Sequence, residues 1–144
     1  MICVVSAPVW NKWFLLSDLD QRQLGTDLAE MSEICQLVAS PESKWLAVVS
    51  VPEGHPILEI VDLPRLIDNG HYRVVQRIDP YPGTLSIDRW DRGCLLIESY
   101  MLLTRLGKNR RPLDEDGLEE PELFSMDPQT GKITRLNPPN RDRH

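Results

Sequence analysis

The chain has 144 residues, 41% hydrophobic and 26% charged, enough for one ordinary domain with its own core and unlike a disordered chain. Its formal net charge of −6 disfavours general binding to nucleic acid or anionic membrane. No run approaches the roughly 20 apolar residues of a membrane span.

Strand signals open the chain. ICVVSA (2–7) and KWFLLSDL (12–19) are β-branched and aromatic runs separated by turn material around Pro8. The apolar start has no basic n-region, so the expected compartment is cytoplasmic by default; a periplasmic chain whose signal peptide has been removed would read the same. DQRQLGTDLAEMSE has weak periodicity, which leaves a loop or a short helix around Asp27 to Ser32 open.

From Ile34 the pattern sharpens. ICQLVAS reads as a strand, PES as a turn and KWLAVVSV as the return strand, with Ser40 and Pro41 suited to the first two corner positions. ILEIVDL (57–63) is a third strand, PRLIDNGH a connection with an Asn-Gly turn, and YRVVQRI (72–78) a fourth strand. The order then repeats. TLSIDRW (84–90), the turn DRG, and CLLIESYML (94–102) are followed by a polar insertion, 104–121. ELFSMD (122–127), the turn PQTG and KITRL (132–136) complete the set. Trp45 falls opposite Gly93 at an offset of 48, and ILEIVDL opposite ELFSMDP at 65, the difference being the insertion. The expected organisation is one domain, 1–144. It comprises N-terminal strands and a linker (1–33), a blade-like unit (34–78), a second such unit carrying the insertion (79–137) and a tail (138–144).

SPESKWLAVVS resembles the S-P-[DE]-[GS]-K-x-[LI]-A hairpin of TolB-like and WD-type β-propeller repeats, and ELFSMDPQTGKITRL resembles the last hairpin of such a blade. The resemblance implies an all-β fold of antiparallel four-stranded blades, each of about 40–45 residues. Only one unit carries the strict turn, since the second has DRWDRG. Closure takes at least about four blades, so the expectation is a partial propeller or stacked-sheet sandwich rather than a closed ring. KWFLLSDLD resembles KWLAVVSV and suggests a partial third unit.

Catalytic chemistry is poorly represented. His55 and His71 lie in loop sequences and His144 is terminal, with no GxSxG elbow or Cys-His signature, so both loop histidines read as surface turn residues. Cys3, Cys35 and Cys94 are far apart within apolar runs and read as small buried hydrophobes. DEDGLEE (114–120) begins like a calcium loop but fails at the third carboxylate and at the closing Glu. No cofactor or metal site is expected.

The insertion reads as a binding element, with a basic cluster of Lys108, Arg110 and Arg111 followed by the acids Asp114, Glu115, Asp116, Glu119 and Glu120. Trp10 and Trp13 are further interface candidates, whereas Trp45 and Trp90 belong to the repeated strands. The expected function is non-catalytic protein binding, as an inhibitor or immunity-type bacterial protein that blocks a partner enzyme or toxin with a projecting charged loop. The short-blade pattern also resembles some secretion-system immunity proteins. The alternative is an enzyme or ligand-binding domain whose site forms at a sheet edge or in a homodimer, with His55, Asp62, Asp88 and Asp91 converging.

Overall fold

The computed structural model describes residues 3–7, 12–16, 21–25, 34–51, 54–69 and 71–136. The helix considered at 27–32, Trp10, His144 and the tail lie outside them. Strands β1 (Cys3–Ala7), β2 (Lys12–Leu16) and β3 (Gln21–Gly25) form an N-terminal antiparallel sheet in the order β1-β2-β3. The middle sheet is the meander β4 (Ile34–Ala39), β5 (Trp45–Ser50), β6 (Ile57–Asp62) and β7 (Val74–Ile78). The C-terminal sheet is the meander β8 (Leu85–Asp91), β9 (Cys94–Met101), β10 (Gly117–Met126) and β11 (Ile133–Arg135). β1 lies alongside β4, and β4 alongside β8, so the first strands of the three sheets are neighbours. The fold is all-β with two four-stranded antiparallel sheets and, among the described residues, no closed barrel, as the repeat implies.

The turns follow from their residues. The Ser43 amide donates to the Ser40 carbonyl at 2.9 Å, and Ser40 Oγ accepts the Lys44 and Trp45 amides at 3.2 and 3.0 Å. Proline at the second position presets the corner. In the corresponding hairpin Asp91 pairs with Cys94, and both intervening residues, Arg92 and Gly93, have positive φ. That is the two-residue turn whose twist matches the flanking strands.

Period-two alternation assigns the side chains. Ala47 and Val49 of β5, with Leu58 and Ile60 of β6, face the C-terminal sheet and pack with Ile87, Leu95, Ile97, Phe124 and Met126. The other face carries Leu46, Val48 and Val61, covered by a helix absent from the sequence reading, α1 (Leu63–Asn69), through Leu63 and Leu66. Asp62 starts that helix. Its Oδ1 accepts the Arg65 amide at 3.1 Å, and proline is tolerated in the first turn because its missing N–H has no intrahelical acceptor there. The segment expected to be a simple connection is therefore a packed helix. Beside it the Tyr72 hydroxyl donates to Glu59 at 2.8 Å; burial and the adjacent carboxylate push its pKa up.

Three further corrections concern exposure and boundaries. Cys35, expected to be buried, is exposed, at a register shift between Ile34 and Gln36, and Cys94 is half-buried. The weakly patterned QRQLG is a strand, β3, which pairs with β2 from Leu16↔Gln21 to Trp13↔Gly25. β10 begins at Gly117, inside the segment expected to be loop, and its pairing with β9 shifts register between Gly117 and Glu122.

Polar side chains join the two large sheets. The Gln36 carboxamide accepts the Ile87 amide at 2.7 Å and donates to the Ile87 carbonyl at 3.2 Å, acting as a one-residue extension of the sheet edge. Trp90 Nε1 donates to the Val38 carbonyl at 2.9 Å. Gln36→Leu keeps the side-chain bulk but strips Ile87 of both partners, and is expected to cost about 1–3 kcal/mol. Urea denaturation should show this as a lower midpoint with an unchanged slope.

Candidate protein-interaction surface

The β7–β8 connection, Asp79-Pro80-Tyr81-Pro82-Gly83, holds one aromatic residue between two prolines. Asp79 Oδ1 accepts the Tyr81 amide at 3.1 Å, and the Gly83 amide donates to the Pro80 carbonyl at 2.8 Å. A side chain at Gly83 would collide with Met101, so the chain passes close to the core here. The Tyr81–Pro82 peptide is cis. With both ends pinned, the Tyr81 ring is displayed at 50% exposure.

Asp79 also gathers two other segments. His55 Nε2 lies 3.0 Å from Asp79 Oδ1, and Arg111 Nε lies 3.7 Å from Oδ2. The His55 ring sits 5.0 Å from that of Tyr81, and the Arg111 guanidinium carbon stands 5.3 Å over the Tyr81 centroid. This corrects the reading of His55 as a surface turn residue: its side chain is 18% exposed and bonded to a carboxylate. Of the acids grouped with it in the alternative reading, Asp62 is engaged at the start of α1 and Asp88 with Arg89, and Asp91 is exposed at the β8–β9 turn.

The insertion is folded against this cluster by its own charges. Arg105 bonds both carboxylate oxygens of Asp116, with Nε 3.2 Å from Oδ2, and that pair holds the Arg105 guanidinium above its ordinary pKa. The Leu102 amide donates to the Asp116 carbonyl at 2.8 Å and closes the base of the excursion. At its tip the Gly107 amide donates to the Arg111 carbonyl at 2.7 Å, across a turn in which Asn109 and Arg110 have φ of 60° and 58°. A left-handed arginine is unfavourable unless its surroundings fix it. Here Arg110 donates from Nη2 to the Gly131 carbonyl at 3.1 Å, and its own carbonyl accepts the Asp79 amide at 3.4 Å.

The residues proposed from sequence thus divide. Arg110, Arg111 and Asp116 help to shape the loop, while Lys108, Asp114 and Glu115 are exposed on it, beside Leu113 at 39% exposure. Trp13 lies in β2, opposite Gly25 and Ser6. Sequence reasoning singled out His55 but missed its partners Asp79 and Tyr81; the available signal for those two was D-P-Y-P-G, in which an Asx turn and two prolines fix the backbone of a single aromatic residue. The His55–Asp79 pair resembles the orienting half of a catalytic dyad. Its carboxylate, however, is shared with Arg111 and the Tyr81 amide, an arrangement that ties three segments together.

No protein-family model matches this chain, and no curated protein matches it in sequence. Among solved structures it is similar to the crystal structure of TolB from Acinetobacter baumannii, with a TM-score of 0.51 and 18% identity over 94% of this chain. The chain spans 30% of the length of that structure. The likeness is one of fold, consistent with the blade-like sheets. No described helix is long and apolar enough to cross a membrane.

Proposed function

We propose that this chain is a non-catalytic protein-binding module that meets its partner with the face built from the insertion and Tyr81, and that it acts as an inhibitor or immunity-type protein. Residues 34–78 and 79–137 serve in this reading as two blade-like units of one domain. The observation that carries it is the division of labour in the insertion. Arg105, Arg110 and Asp116 hold the loop from within, so Lys108, Leu113, Asp114, Glu115 and Tyr81 are displayed on a surface that is already ordered. Pre-organisation lowers the entropy cost of association, and exposed tyrosine with arginine is the side-chain combination enriched at interface centres.

The test leaves the internal bonds alone. A Lys108→Glu, Leu113→Ser, Glu115→Lys variant and the unaltered chain are used side by side to capture partners from the source lysate, and each partner is identified by mass spectrometry. A partner held at least tenfold better by the unaltered chain, and inhibited by it at stoichiometric concentration, supports the reading. Equal capture by both forms moves the interface elsewhere, with β2 and its Trp13 next to be tested.

A further inference from the structure

Among the arginines of this region, Arg111 is bound differently. Arg105 and Arg135 each present two nitrogens to a carboxylate of the same chain, Asp116 and Glu122, and Arg110 spends its Nη2 on the Gly131 carbonyl. Arg111 is held on one side only: Asp79 faces its Nε, and its guanidinium carbon stands over the Tyr81 ring. Its two terminal nitrogens have no hydrogen-bond partner among the described residues, and the side chain is 43% exposed. The fork is therefore oriented while its open end faces outward. A planar guanidinium in that state accepts a carboxylate through two parallel hydrogen bonds, a geometry that lysine cannot reproduce.

The surroundings choose among anions. Asp79 stands directly behind Arg111, Asp114 and Glu115 follow within four residues, and the whole chain carries a net charge of −6. A phosphate dianion or a nucleic-acid backbone meets more repulsion here than a single carboxylate does. The neighbouring surface is amphipathic, with Tyr81 and Leu113 both exposed. We propose that Arg111, set over the Tyr81 ring and braced by Asp79, is the anchor that receives an acidic side chain flanked by apolar residues on the partner protein. The proposal rests on the interaction reading above and adds the partner's chemistry to it.

The experiment uses the full chain and three probes at low salt: the peptide acetyl-Ala-Leu-Glu-Ala-Leu-Glu-Ala-amide, the same peptide with glutamine in place of glutamate, and inorganic phosphate. The Arg111 Nε–H and Tyr81 ring signals are followed by nuclear magnetic resonance. The glutamate peptide is expected to shift both saturably and to bind at least tenfold tighter than either other probe. Arg111→Gln should reduce it to the level of the glutamine peptide, and Arg111→Lys should fall between; circular dichroism checks that both variants are folded. Equal binding of the two peptides, phosphate binding as tightly as the glutamate peptide, an Arg111→Lys variant equal to the parent, or no movement of Arg111 with any probe would each overturn the anchor. If the triple variant at Lys108, Leu113 and Glu115 loses its partner while Arg111 stays indifferent to the glutamate peptide, the interaction face stands and only the carboxylate anchor falls.

Discussion

Phe124→Ala is expected to destabilise the chain by about 3–5 kcal/mol, the range for emptying a buried aromatic site. Phe124 is fully buried near the C-terminal end of β10, opposite Ile97 on one side and Arg135 on the other, and its ring fills the space between the two large sheets. Such sheets relax only partly around a hole, so the cost includes both the lost transfer free energy and the cavity. For a chain of this size each kcal/mol lowers Tm by roughly 2–4 °C, giving a fall on the order of 10 °C by calorimetry. Ser125→Ala, one residue along and on the opposite face, should stay within about 0.5 kcal/mol. A reversed order of the two effects would mean that β10 is shifted by one residue, because a one-residue slip turns every side chain to the other face.

Asp79→Ala is expected to have the second largest effect, about 2–3 kcal/mol. It removes the acceptor of the Tyr81 amide and the partner of His55 and Arg111 together. Breaking a buried pair costs more than this, but the half-exposed Arg111 recovers hydration, which reduces the penalty. Asp79→Asn retains an acceptor for the amide and loses the charge facing Arg111, so it should fall between the parent and Asp79→Ala. The distinguishing readout is local: the Gly107 and Arg110 amides, bonded within the loop tip, should exchange with solvent at least tenfold faster in Asp79→Ala. Lower global stability with unchanged exchange at those two amides would show that Asp79 does not hold the insertion.

Residues that act through their neighbours along the chain are legible in the sequence alone. Ser40 and Pro41 specify their turn because the carbonyl, the amide and the capping hydroxyl all lie within six residues. Arg92 and Gly93 specify theirs for the same reason. The apolar run LAVVS of β5, with no polar alternation, belongs to a strand buried on both faces, whereas exposed Glu98 and Tyr100 alternate with buried Ile97, Ser99 and Met101 in β9. The helix α1 is legible in part, since Asp62 followed by Pro64 is a start signal, but its seven residues are too short for periodicity to stand out against an Asn-Gly dipeptide.

Strand content, turn positions and the repeated four-strand order were determined by the sequence itself, because alternation, proline and small turn residues act over a few positions. Tertiary structure alone decided the rest. β3 is a strand because β2 offers it a pairing edge, not because QRQLG favours one. Gln36 joins two sheets across 51 positions, and Asp79 meets His55 and Arg111 from opposite directions along the chain. The charged insertion read as one projecting binding element because its charges were counted without their partners. Pairing within the folded chain depends on distances that no local pattern encodes, and it settled which of those charges support the loop and which face outward.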